Sequence, residues 1–178
     1  MVLNSYVLLI IMHFGTGCAL SSKFPTPVTK FPFDVSRKDS VVNELFQISK
    51  PRYYIFSLQY NYSGREQQDH IRELIGGGGR YPDGRYGEPG VIIPIHIIIS
   101  KIDLEKNTSI ILVDQIIDTQ GKYVHGFEKK DGDGFYEREI IITDLEPGVY
   151  RVEANTIKDL KELSGTTVFL KITWRSFN

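Results

Sequence analysis

The chain is short of cysteine, of long hydrophobic runs and of net charge, and each shortage removes a class of protein. Its 178 residues include a single cysteine, Cys18, so no internal disulfide can form and the fold must be held by its core. Lys and Arg number 21 against 22 Asp and Glu, a formal net charge of -1. That balance supplies neither the basic footprint of a nucleic-acid binder nor an acidic tail. The apolar run Val7–Met12 falls well short of the roughly 20 residues that span a bilayer. The four histidines, at positions 13, 70, 96 and 125, lack zinc-ligand spacing. His96, inside an apolar run, reads as a satisfied structural side chain. There is no Gly-x-Ser-x-Gly nucleophile elbow. The glycines Gly76–Gly79 follow a helical stretch instead of opening one, and no Lys with a hydroxyl accompanies them, so they read as a helix end and not a phosphate loop. Asp131-Gly-Asp-Gly134 matches part of a calcium loop but lacks the further ligands and the late Glu; a tight hairpin explains it. The expectation is a binding protein and not an enzyme, with no catalytic residue, no metal, no cofactor and no nucleic-acid partner.

What is present begins with a segregated N-terminus. No Asp, Glu, Lys or Arg occurs from Met1 to Gly17, and the apolar run fits the h-region of a signal peptide, although the usual basic residues before it are missing. Gly15-Thr-Gly-Cys18 resembles the lipobox of bacterial lipoproteins, with Gly15 where that pattern prefers Leu. The resemblance implies cleavage before Cys18 and an acyl chain such as palmitate on it. The alternative is an ordinary secretory signal cut after Gly17 or Ala19, with an incidental cysteine. The Pro-rich segment that follows reads as a tether. The expected organisation is therefore a signal peptide at 1–17, a lipidated N-terminus and flexible tether at 18–30, and one folded domain at 31–178. Asp and Asn are absent just after Cys18. By resemblance to enterobacterial lipoproteins, this implies a periplasmic domain anchored by lipid to the outer membrane.

With 41% hydrophobic and 24% charged residues, the remainder has the composition of a globular core. In Arg52–Tyr62 the residues Tyr54, Phe56, Leu58, Tyr60 and Tyr62 alternate with Ser57, Gln59 and Asn61, the period of a half-buried strand. Val91–Ile99 is nearly continuous Ile and Val, interrupted by Pro94 and His96, as in a strand covered on both sides. Ile110–Ile117, Phe135–Ile142, Gly148–Thr156 and Thr166–Trp174 repeat the theme, the last with Val168, Leu170, Ile172 and Trp174 on one face. Val41–Ile48 is a weaker strand. Turn chemistry at Asp118–Gly121, Asp131–Gly134 and Glu146–Gly148 punctuates them. Leu145–Tyr150 resembles the tyrosine corner of immunoglobulin domains. The fold expected is all-β: an immunoglobulin-like antiparallel β-sandwich with one short helix inserted in a long loop. That helix is Arg65–Ile75, where Ile71, Leu74 and Ile75 recur at helical spacing.

The rest of the long connection, residues 76–90, is the candidate recognition element. Arg80, Tyr81, Asp83, Arg85, Tyr86 and Glu88 stand on a Gly/Pro frame, and Arg and Tyr are the residue types that concentrate energy at protein interfaces. A second reading has the tyrosines folding back over one end of the sandwich while the arginines stay solvated.

Phe31-Pro-Phe-Asp-Val35, Tyr53–Leu58, Ile71–Gly76, Asp83–Gly90 and Leu145–Val152, spread over nearly all of the mature chain, together resemble a family of bacterial lipoproteins. Some members of that family are encoded beside phospholipase effectors of type VI secretion systems. The resemblance implies a periplasmic immunity protein that binds and neutralises such a lipase. Two rivals stand beside it. One is an envelope structural or adaptor lipoprotein that meets a secretion or cell-envelope component through its sheet edges. The other is a carbohydrate- or lipid-binding sandwich using Trp174, Tyr81 and Tyr86.

Overall fold

The structure is a computed structural model that describes residues 24–76, 90–119, 123–127 and 132–174. Among these residues lie nine strands and one α-helix: β1 (Thr29–Pro32), β2 (Val41–Ile48), β3 (Arg52–Tyr62), α1 (Gly64–Ile75), β4 (Ile93–Asp103), β5 (Thr108–Thr119), β6 (Tyr123–Phe127), β7 (Gly134–Leu145), β8 (Gly148–Thr156) and β9 (Thr167–Trp174). They form two antiparallel sheets, β1-β9-β3-β7-β6 and β2-β8-β4-β5. The all-β sandwich read from the alternating sequence is the fold observed, with α1 as its inserted helix.

The inner strands follow the immunoglobulin plan. In that fold's lettering β3, β7 and β6 take the places of B, E and D, while β4 and β8 take those of C and F. The outer strands are exchanged between sheets: β2 pairs with β8, and β9 pairs with β3. This places the N-terminal β1 against β9 as the edge of the larger sheet.

Alternation builds the core. Tyr54, Phe56, Leu58, Tyr60 and Tyr62 of β3 point inward toward Ile93, Ile95, Ile97 and Ile99 of β4, all of them buried. Phe46 lies at its centre, edge-on to Phe56 at 5.9 Å between ring centroids and stacked on Tyr150 at 5.7 Å. Two crossings between the sheets, β2 to β3 and β7 to β8, lie side by side at one end, and each is tied by a tyrosine. The Tyr150 hydroxyl donates to the Glu146 carbonyl at 2.7 Å, the corner expected from the sequence. The Tyr54 hydroxyl donates to the Lys50 carbonyl at 2.8 Å in the same way.

Several expectations need correction. β4 is not covered on both sides: Ile93, Ile95, Ile97 and Ile99 are buried, whereas Pro94, His96 and Ile98 are only half-buried, because among the described residues no layer packs on the outer face of the smaller sheet. The tether does not extend to residue 30. Thr29 and Lys30 already belong to β1, and the Pro25 carbonyl accepts from the Gln47 amide at 2.9 Å. Trp174 shares register with the inward face of β9 but stays 41% exposed at the strand's end, where the Arg52 guanidinium lies 4.2 Å from its ring centroid. Ser57 and Gln59, expected on a solvated face, are 2% exposed. Ser57 Oγ donates to Glu137 Oε1 at 2.9 Å, and Lys171 Nζ pairs with Glu137 Oε2 at 3.0 Å in a polar layer over β3.

A candidate binding site at the neck of a loop

The residues singled out for function, Cys18 and Arg80, Tyr81, Asp83, Arg85, Tyr86 and Glu88, lie outside the described residues. The structure does describe both roots of the segment that carries the last six. One root is α1. Its apolar side, Ile71 and Ile75, is 1% exposed against the sandwich, while Arg65, Asp69 and Arg72 face out, with Arg72 pairing Asp69 at 3.2 Å. At its start the Ser63 amide donates to Gln67 Oε1 at 2.6 Å, and Ser63 Oγ donates to Asp133 Oδ1 at 2.6 Å, so the β3–α1 junction is tied to the start of β7. A polar cleft of about 200 Å³ lies there, lined by Asn61, Tyr62, Ser63, Gln67, Asp133, Gly134 and Thr167. The helix ends at Gly76, which takes φ 86°, a conformation open to glycine at little cost.

The second root is Gly90–Val91, and it is held directly against the first. The Val91 amide donates to the Leu74 carbonyl at 2.7 Å. Gly90 sits at φ +69°, and a Cβ there would fall 2.2 Å from the Ile75 carbonyl carbon and 2.3 Å from the Gly76 nitrogen. Only glycine lets the two chain segments approach so closely. The neck is thus pinched shut at Ile75–Gly76 and Gly90–Val91.

A buried cation locks it. Arg138 stands on β7 between Glu137 and Glu139, yet its register opposite Leu58 turns it inward, where it is 0% exposed. Its guanidinium donates to the Val91 carbonyl at 2.8 Å, to the Thr119 carbonyl at 3.0 Å and to the Ile75 carbonyl. One planar fork therefore binds both roots of the loop and the end of β5. Burial pulls the Arg138 guanidinium below its ordinary pKa, with Tyr60 acting in the opposite direction. Burial likewise pushes the Tyr60 hydroxyl far up, against the pull of Arg138. The Tyr60 hydroxyl is fully buried and has no hydrogen-bond partner among the described residues.

Sequence reasoning missed Arg138; it placed Tyr60 on the core face and Gly90 at the end of the long connection, but not their part in the neck. The available signal was the alternation Tyr136-x-Arg138-x-Ile140, which places the arginine on an apolar face, but flanking glutamates disguise it as a surface charge. His96 is satisfied as expected, its Nε2 2.6 Å from Asp114 Oδ1 across β4 and β5. Among the described residues no group of three or more His, Cys, Asp or Glu is placed to hold a metal, and no helix is long and apolar enough to cross a membrane. At the opposite end, a groove of about 220 Å³ is lined by Pro27, Ser49, Lys50, Arg52, Tyr54 and Trp174. The Arg52 guanidinium already occupies a face of the Trp174 ring there, the position a stacked sugar would need.

Residues 30–174 match the family described as Domain of unknown function (DUF5625). The chain belongs to this DUF5625 family. The match begins within β1 and ends at the last residue of β9, so the family domain and the β-sandwich coincide. No curated protein matches the chain. A crystal structure of a protein from Sulfurospirillum deleyianum is similar at a TM-score of 0.67 and 21% identity, covering 84% of this chain and 98% of that one. At that identity the likeness concerns the fold alone, which is shared over nearly the whole of the second protein.

Proposed function

We propose that this DUF5625 protein is an exported, lipid-anchored binding protein whose segment 76–90 recognises a protein partner. In its sharper form the partner is a lipase or phospholipase effector of a type VI secretion system, which the protein neutralises. One observation carries the reading: both roots of an Arg- and Tyr-rich segment are cross-linked by Arg138, through carbonyls of Ile75 and Val91, to the interior of the sandwich. Loops that recognise partners are set on rigid frames, because a fixed base lowers the entropy lost on binding. A buried charge is a costly way to fasten an inert connection. The lipobox-like Gly15-Thr-Gly-Cys18 complements this reading, since a lipid anchor would hold the binder at the membrane where a lipase acts and raise its effective concentration there.

The test is protection of cells producing the full chain against a delivered phospholipase, together with recovery of the partner on the tagged full chain. Replacement of Arg80, Tyr81, Arg85 and Tyr86 together by Ala is expected to abolish protection and partner recovery while the thermal transition is unchanged. Full retention of binding by that variant would remove the loop from the site. Recovery of a secretion or envelope component in place of a lipase would replace the inhibitor reading with the adaptor one.

A further inference from the structure

The end of the sandwich away from the loop neck carries a surface of another kind. Ile48 pairs with Gly148, Arg52 with Leu145, Tyr54 with Trp174 and Ile102 with Val149. The two sheet crossings, the β4–β5 turn and the last residue of β9 therefore share one end. Large apolar side chains stand bare there: Val28 is 62% exposed, Leu104 58%, Tyr53 49% and Trp174 41%. The chain also enters the domain at this end. The Pro25 carbonyl accepts from the Gln47 amide near the end of β2, and Pro27 lines the groove beside Lys50, Arg52 and Trp174. Cys18 precedes Phe24 by six positions, so at ~3.3 Å per residue a lipid on it starts within about 20 Å of this end. The neck is farther away. β4 separates it from this end by its 11 residues, Ile93–Asp103, or roughly 33 Å.

Exposed Trp, Tyr and aliphatic side chains among Lys and Arg suit a bilayer interface, where rings and methyls enter at headgroup level and cations reach back to water. Taking Cys18 as the acylated residue of the proposed function, we infer that this end of the domain rests on the phospholipid bilayer that holds the anchor. Val28, Tyr53, Leu104 and Trp174 then sit at headgroup level, and the roots of segment 76–90 are turned away from the membrane. Because the tether is shorter than the domain, the contact forms within one anchored molecule and needs less apolar area than capture from solution. Charge has no net part in it. Lys50, Arg52, Lys101 and Lys106 are matched at this end by Asp103, Glu105, Asp144 and Glu146. The contact therefore forms on neutral lipid and persists in salt, which screens only charge–charge attraction.

Trp174 is the sole tryptophan of the chain, so its emission reports this end alone. The full chain is recovered from the membranes of the cells that produce it, weighed intact for the acyl group, and placed in phosphatidylcholine vesicles. Bromine carried high on the lipid acyl chains is expected to quench Trp174 emission about twofold or more, equally at low and high salt. The double variant Trp174→Phe/Ile92→Trp moves the reporter to the neck end, where Ile92 is 44% exposed, and is expected to show no quenching. Tyr53→Glu/Leu104→Glu, at two exposed positions, is expected to lower the quenching of Trp174 severalfold while the far-ultraviolet dichroism stays that of the parent. An acylated chain whose Trp174 is not quenched overturns the inference and leaves the anchor standing. Equal quenching of the two reporters overturns it as well. A chain without an acyl group removes the anchor reading, and this inference with it.

Discussion

Replacing Arg138 by Met removes the cation that fastens the loop neck while keeping most of the side chain's apolar volume. Three hydrogen bonds to described residues are lost, two of them to fully buried carbonyls, Ile75 and Thr119. Each bond from a charged donor contributes roughly 1.5–3 kcal/mol net, so the gross loss is roughly 4–9 kcal/mol. Relief from burying an ionised group offsets several kcal/mol of it. The expected net destabilisation is about 3 kcal/mol, a fall in Tm of roughly 6–12 °C for a chain of this size. The effect has a local signature. The Val91 amide, bonded to the Leu74 carbonyl, reports whether the neck is closed, and its hydrogen exchange is expected to accelerate about 100-fold, equivalent to about 2.8 kcal/mol. Arg138→Lys keeps the charge but loses the fork, so it is expected to fall between the two. The assays are thermal denaturation and amide exchange by mass spectrometry or NMR. If Arg138→Met is as stable as the parent and Val91 exchanges at the parental rate, the guanidinium is not what holds the neck.

Gly90→Ala forces a Cβ to 2.2 Å from the Ile75 carbonyl carbon and is expected to cost about 3 kcal/mol or more, whereas Gly64→Ala, at a comparable φ of +76° with nothing within 4 Å, is expected to cost only the ~1–2 kcal/mol of backbone strain; equal losses in urea denaturation would refute the close approach. Tyr150→Phe and Tyr54→Phe each remove one hydrogen bond at the sheet crossings and are each expected to cost about 1 kcal/mol, the pair about 2; no change in either variant would deny the corners a structural role. The Asp34 carboxyl is held below the usual carboxylate range, first by the Ser36 hydroxyl and also by the Ser36 amide and Arg37. A depressed folded-state pKa contributes stability that is fully present above about pH 4 and is lost as pH falls through the folded value, so Asp34→Asn is expected to flatten the fall of Tm below about pH 4. A parental pH profile in that variant would refute the assignment.

The sequence by itself determined whatever depends on local periodicity. Alternation in Arg52–Tyr62, Gly148–Thr156 and Thr166–Trp174 set their strands and the face that meets the core, because side chains two residues apart share one face. The spacing of Ile71, Leu74 and Ile75 set α1, and Tyr150 after Glu146-Pro-Gly148 marked the corner. What it did not determine was decided by pairing between distant segments. β1 is a short strand of Thr, Lys, Phe and Pro that is extended because β9 offers it a partner, and no local pattern separates it from a tether. The exchange of β2 and β9 between the sheets leaves no trace in either strand's composition. Arg138 reads as a surface charge between two glutamates until its pairing with Leu58 turns it inward, where the carbonyls of Ile75, Val91 and Thr119 converge. The exposed run on β5 has the same origin: its residues look like core, and a bulge opposite Ile99–Ser100 together with an edge position leaves them bare. Hydrophobic pattern specifies which residues seek burial. Which of them find it depends on register and neighbours that only the assembled sheets provide.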